Sequence, residues 1–308
     1  LYNNEVKLIL ANNQSAKFRQ FYQELSSKSQ ESFEYAGYES LLFEFDTTAV
    51  QPVVVRNLAS STGLGDYSGV YLNGYLHTYE LAAATATCCQ ALAVPFVNRE
   101  LADAPSLSKL TAYAKLAAAG VSLPRSLAGS KTALLGAEQA AEAIGFPLVL
   151  KRADADRGVD NYKVSTWAEV QKFLEPHEPR SLWLLQEFVA NDGFYLVSFY
   201  DQQPAFCIFR SLEKRPDGDA SKAHMFKPKG GANASLIDLP DVPAAIIATC
   251  QRAVDALNRQ IGSVDCLYDR ASGRVHVLEV NYNPQLVTIT TFKDTRLQAF
   301  LDGISKIG

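Results

Sequence analysis

With 308 residues, 29 Lys and Arg against 33 Asp and Glu, and a formal net charge of −4, the chain is mildly acidic and ordinary in composition, 47% hydrophobic and 20% charged. At ~100–200 residues per domain it has room for two or three domains and an ample core. It shows no block of like charge and no apolar run near the ~18–20 residues of a membrane span, so neither nucleic acid nor a membrane is an expected partner.

The residues from Leu1 do not read as a cleavable signal sequence. VKLILAN (6–12) reads as a strand, and NQSAKFRQFYQELSS (13–27) as an amphipathic helix with Phe18, Phe21, Tyr22 and Leu25 on one stripe. Strands follow at 41–45, 51–57 and 69–75, a long helix at 78–93 and a short strand at 94–98. This alternation predicts an α/β layer domain over roughly the first hundred residues. Helices are expected at 106–120, with a Ser start and a Gly stop, and at 133–145, followed by a buried strand, FPLVLKR (146–152). Residues 152–164 read as a polar hairpin loop, WAEVQKFLEP as a short helix and SLWLLQEFV (181–189) as a strand. Strands at 194–201 and 203–214, a polar loop from Arg215, a helix at 243–259, strands at 263–268 and 273–280, and a helix over DTRLQAFLDGI complete an α+β half.

The five cysteines are odd in number and form no CxxC pair, which suits buried, reduced thiols of a cytoplasmic protein. The four histidines share no metal-ligand spacing.

The chemistry concentrates in VHVLEVNYNP (275–284). Glu279 and Asn281 lie two apart on this strand and point to one face, Asn283 follows, and Pro284 stops the ladder. Asp265 sits in the preceding strand, opposite Val277 or Glu279 across the DRASG turn, so 265, 277, 279 and 281 are expected on one face. Like charges so placed repel unless a cation lies between them, and Asp, Glu and Asn offer the hard oxygens that magnesium prefers. The competing interpretation is an exposed face with solvated acids. Lys151, at the end of an apolar strand, and Lys109, in the first turn of a helix, are candidates for holding phosphates. The loop after Lys151 carries Gly158, whose backbone suits a phosphate cover, although a strand-terminal Lys is also a common edge residue. GSKT (129–132) lacks the rest of a P-loop, and GLGDYSG (63–69) has Ser68 where a dinucleotide fingerprint needs Gly.

Taken in order, SKL…AGVSLP, GFPLVLKR…RGV, LLQEFV, RS…KGGANAS and GSVDCLY…VLEVNYNP resemble the ATP-grasp superfamily, most closely its RimK-type carboxylate–amine ligases. The resemblance covers nearly the whole chain from about Val70. It implies an N-terminal α/β (pre-ATP-grasp) domain at 1–104, a central lobe with a phosphate lid at 105–185 and a C-terminal lobe with the metal site at 186–308. It also implies ATP and magnesium, or manganese in its place. Lys109 and Lys151 then match the phosphate-binding lysines, Gly158 belongs to the lid, and Gln186, Glu187, Phe188 and Val189 match the adenine hinge. Asp265, Glu279 and Asn281 match the metal ligands, and Arg210, with Lys151, the catalytic cations. Phe194, Tyr195 and Leu196 replace the family's acidic-x-basic trio, with Asp192 a substitute for its ribose-binding acid; Lys227 and Lys229 fill the region of an Arg-x-Asn element, and Gln285 stands where Gly is common. The implied activity joins a carboxylate to an amine of an amino acid, peptide or protein tail through an acyl phosphate. The alternatives are a nucleotide-binding protein without ligase activity and an ATP-grasp kinase, and assembly into a homo-oligomer is left open.

Overall fold

The computed structural model describes residues 6–11, 16–29, 31–45, 50–73, 78–103, 109–153, 155, 159–211, 234–282 and 292–305. Gly158, Asn283, Gln285, Lys227 and Lys229 lie outside them.

The first hundred residues build a parallel sheet from β1 (Val6–Ala11), β2 (Ser32–Gly37), β6 (Gly69–Leu72) and β7 (Phe96–Val97), in the order β2-β1-β6-β7. Its two faces feed separate cores, as a parallel sheet requires. Leu8, Leu10, Val70 and Leu72 pack with Ala82, Ala86 and Cys89 of α2 (Tyr79–Ala91). Ile9 and Tyr71 pack with Phe21, Tyr22 and Leu25 of α1 (Ala16–Lys28). Between β2 and β6 the chain makes a small antiparallel sheet, β3 (Leu41–Phe45), β4 (Val53–Asn57) and β5 (Thr62–Gly63). The sequence reading missed β2, because SFEYAG mixes Ser, Glu and Gly with its apolar positions, and its parallel pairing with β1 is a long-range contact.

After the short α3 (Glu100–Asp103), α4 (Lys109–Ala118) leads into a second sheet of β8 (Ser126–Ser130), β9 (Leu148–Arg152), β10 (Asn161–Val164) and β11 (Leu182–Glu187), ordered β10-β9-β11-β8. One face packs on α5 (Lys131–Leu135), α6 (Glu138–Ile144) and α7 (Trp167–Leu174), through Leu148, Leu150, Val164, Trp183 and Leu185. Each such buried Leu contributes about 1.5–3 kcal/mol of apolar transfer. Two expectations are corrected here. The single helix at 133–145 is two, because Gly136 caps α5 and turns the chain. The supposed polar loop at 152–164 ends in a strand, β10, whose Tyr162 and Val164 alternate with Asn161 and Lys163.

The third sheet is antiparallel: β12 (Gly193–Tyr200), β13 (Gln203–Ser211), β14 (Ala234–Ile237), β15 (Ile261–Asp269) and β16 (Arg274–Asn281), ordered β14-β13-β12-β15-β16. Val197, Phe199, Val264, Cys266, Val277 and Val280 bury one face with Ile246, Cys250 and Val254 of α8 (Ala244–Ala256) and Leu116 of α4. Thus α4, which precedes the second sheet in sequence, packs on the third. On the opposite face, Leu196, Tyr200 and Ile261 are covered by Leu297, Phe300 and Ile304 of α9 (Lys293–Ile304), together with α1. All five cysteines are buried free thiols. Among the described residues no helix is long and apolar enough to cross a membrane.

Candidate active site

Asp265 and Glu279 are paired partners in the β15–β16 ladder, and Ser263 pairs Asn281 two residues away. Beyond Asp265 the register shifts, so that Cys266 faces Val277 and Leu278 is the extra residue of a β-bulge. This corrects one sequence expectation: Val277 does not share the face of Glu279. The bulge reverses the alternation, sending Val277 into the core beneath α8 while Glu279 stays beside Asp265. The hairpin is held from the N-terminal side. A Cβ at Gly262 would lie 2.4 Å from the carbonyl oxygen of Asn281, so only glycine admits this approach. Arg259 stacks 3.1 Å from the Tyr282 ring centroid and reaches Glu100 of α3 at 2.8 Å.

Cations converge on the acidic pair. Lys109 Nζ donates to the Ala155 carbonyl oxygen at 2.6 Å and lies 3.5 Å from Glu279 Oε1. Lys151 is no exposed edge residue: β9 lies between β10 and β11, and Lys151 Nζ donates to Gln186 Oε1 at 2.7 Å. Burial lowers the Lys151 ammonium to about 8, against the opposing pull of Glu279. Arg210 is 7% exposed, 5.7 Å from the Phe194 ring, with its pKa lowered by burial and supported by Asp265. Glycine again permits the local approach, since a Cβ at Gly193 would meet the Arg210 carbonyl oxygen at 2.2 Å.

Asp265 carries the electrostatic tension of the site. Its Oδ1 is buried with no hydrogen-bond partner. Burial first, then Glu279, push its carboxyl up to about 7, while Arg210 and Lys151 pull it down. An unfolded Asp ionises near ~3.9, so between ~4 and ~7 the folded protein holds a proton that the unfolded chain has lost, and stability falls as pH rises through that window. Asp265→Asn is expected to raise the metal-free thermal midpoint at pH 8 by about 1.5 °C, roughly the shift that ~1 kcal/mol gives a chain of this size, and to leave it unchanged at pH 4. Differential scanning calorimetry in EDTA at the two pH values checks this.

These residues fit a divalent cation. An unpartnered buried carboxylate oxygen faces a second carboxylate in register, and both are hard ligands. Among the described residues no three His, Cys, Asp or Glu side chains come together, so such an ion would rest on two carboxylates, with Asn281 and non-protein oxygens completing its shell.

The expected hinge residues follow in line. Gln186, 1% exposed, donates to Tyr113 Oη at 2.8 Å and to Ser126 Oγ at 3.2 Å. Glu187 pairs with Arg125 through both backbone and carboxylate, and the Val189 carbonyl oxygen accepts from Asn191. Phe188 lies under Lys163 Nζ at 3.7 Å. Asp192 stands apart: it is exposed and pairs with Arg270 at 3.4 Å. Sequence reasoning missed Lys163 and Tyr113. Lys163 pairs Val149 and so shares the face of Lys151, a position that the alternation N-Y-K-V signals. Tyr113 lies four residues after Lys109 on α4, one turn along the same helical face.

Solved structures resemble this fold over nearly the whole chain. A RimK domain ATP-grasp protein from Sphaerobacter thermophilus is 14% identical, covering 97% of this chain and 99% of its own, with a TM-score of 0.61. The D-alanine–D-alanine ligase of Bacillus anthracis, solved with ATP, is 15% identical over 98% of this chain and 97% of its own, at 0.65. The ATP-grasp ligase PsnB, solved with a minimal precursor, Mg and ADP, is 13% identical over 99% and 98%, at 0.65. The chain has the ATP-grasp fold. No protein-family model matches the sequence, nor does any curated protein. The ATP-grasp likeness spans a RimK domain and a D-alanine ligase alike, so the fold by itself does not single out the RimK type.

Proposed function

We propose that the chain is an ATP-dependent carboxylate–amine ligase that forms an amide bond through an acyl phosphate. The observation that carries this reading is the in-register Asp265–Glu279 pair, with Lys109 at 3.5 Å from Glu279 and with Lys151 and Arg210 electrostatically coupled to Asp265. Two carboxylates among three buried or half-buried cations suit a bridged triphosphate better than a solvated surface face. Structures with this fold include ligases solved with ATP, or with Mg, ADP and a minimal precursor, which supports the same reading.

In this reading Asp265, Glu279 and Asn281 hold magnesium, which when bound neutralises charge on the transferring phosphoryl group. Lys109 and Lys151 hold phosphate oxygens, and residues 186–189 receive the adenine. The substrate's carboxylate oxygen bonds to the γ-phosphorus as the bond to ADP breaks. An amine nitrogen then bonds to the acyl carbon, inorganic phosphate leaves, and the nitrogen gives up a proton. Arg210 steadies the oxyanion formed in that second step. The acid and amine come from an amino acid, a peptide or a protein tail. The three-part division at residues 104 and 185 goes with this reading, although β11 runs on to Glu187 and α4 packs with the C-terminal sheet.

The test is release of ADP and phosphate from ATP with magnesium. Release is expected only when an acid and an amine are both present. Amine-independent phosphorylation of a stable hydroxyl would instead make the chain a kinase. ATP binding without turnover across a panel of amino-acid and peptide pairs would leave a nucleotide-binding protein.

A further inference from the structure

The bulge beside the acidic pair leaves Leu278 without a partner residue in the ladder. Its carbonyl oxygen is satisfied by Tyr113 Oη, which donates at 3.0 Å. The same phenol oxygen accepts from Gln186 Nε2 at 2.8 Å, and Gln186 Oε1 accepts from Lys151 Nζ at 2.7 Å. An unbroken line of hydrogen bonds thus runs from a lysine on the second sheet, through a side chain of α4, to the backbone next to Glu279 on the third. Tyr113 is 7% exposed and Gln186 1%, so the line is shielded from water, where such bonds reinforce one another. Its direction is set at both ends. Lys151 has only protons to give, so Gln186 turns its oxygen to it and its amide to Tyr113. The phenol then has one proton left, and gives it to Leu278.

We propose that Tyr113 is a positioning residue that couples the phosphate-binding lysine to the metal-binding strand. Resting on the ligase reading above, this assigns no contact with substrate to Tyr113. It acts through two others: it orients Gln186 and hence the Lys151 ammonium, and it ties down the bulge that keeps Glu279 opposite Asp265. Because α4 spans the two sheets, the Tyr113 hydroxyl links the order of the metal strand to the placement of Lys151, with Ser126 Oγ a second acceptor of the Gln186 amide.

Tyr113→Phe removes that hydroxyl alone and keeps the ring. ATP binding is measured by isothermal titration calorimetry, in EDTA and across a magnesium series, alongside the thermal midpoint. The variant is expected to need ~10-fold more magnesium for half-maximal enhancement of ATP binding, at the lower end of what losing an outer partner costs a metal site. Affinity in EDTA is expected to fall a few-fold. Gln186→Glu serves as the second variant should the first not fold. Its carboxylate still accepts from Lys151 but has no amide to give Tyr113, and it draws the phenol proton away from Leu278, so the same magnesium shift is expected. A lowered thermal midpoint with wild-type magnesium dependence would reduce Tyr113 to a structural bond and overturn the proposal. A wild-type chain whose ATP binding is indifferent to magnesium would instead sink the ligase reading, and the coupling with it.

Discussion

Glu279→Gln is expected to reduce ATP turnover by at least ~100-fold, since loss of even an outer partner costs a metal site 10–100-fold. The substitution is nearly isosteric and keeps one oxygen acceptor. What it removes is the charge that draws Lys109 to 3.5 Å and that, with Asp265, matches a divalent ion. The predicted signature is specific: magnesium no longer enhances ATP binding, while affinity in EDTA persists, because both lysines and the hinge remain even though Lys109 and Lys151 lose an acidic neighbour. Removing Glu279 also removes the neighbour that helps raise Asp265, so the Asp265 carboxyl should ionise at lower pH in this variant. Calorimetric titration with and without magnesium, together with coupled ADP release, reads the binding and turnover effects, and a pH series of thermal midpoints in EDTA reads the Asp265 ionisation. Wild-type turnover in Glu279→Gln would remove the acidic pair from the mechanism.

Lys151→Ala is expected to weaken ATP binding by ~1–3 kcal/mol, the range for a hydrogen bond to a charged group. That is roughly a 5- to 150-fold rise in Kd. The pH profile separates this lysine from the others. Burial holds its ammonium at about 8 in the free protein, so it loses its proton as pH passes 8. Wild-type affinity for ATP in EDTA should therefore decline above pH 8, and the Lys151→Ala affinity should stay flat across the same range. The sign for stability is opposite. A lysine lowered from an unfolded value of ~10.4 to about 8 is charged at a cost in the folded state below pH 8, and that cost is relieved as pH rises through the window. Measuring both properties on one pH series distinguishes a phosphate-binding role from a structural one, since only the former predicts a loss of affinity while the protein becomes more stable.

Much of the arrangement of the candidate site was legible in the sequence because its parts are local. Glu279 and Asn281 share a strand face whatever the partner strand does, and Asp265 stands one short turn away, so their neighbourhood follows from the period of two and the DRASG connection. Lys151 closes an apolar run, which marked it as a strand terminus, whereas only the resemblance to ATP-grasp proteins singled out 186–189. What stayed hidden depends on contacts between distant segments. The bulge at Leu278 went unread, although it alone gathers Val275, Val277 and Val280 on the core face, where unbroken alternation sets Glu279 beside the first two valines. Tyr113 is ordinary on a helix of small and apolar residues until α4 is laid across the third sheet. Lys163 fell in a stretch whose Asp, Arg and Gly content outweighed four residues of alternation.

The chain by itself therefore determined its fold class, the α/β and α+β halves, and the residue types that meet at the acidic hairpin, because periodicity and turn chemistry act over a few residues. The tertiary structure alone decided which side of β16 Val277 takes, how Lys151 comes to lie on a strand flanked by two others, and which helix satisfies the bulge carbonyl. These are settled by where unpaired backbone groups and charges find partners once three sheets are packed, and residues far apart in sequence supply those partners.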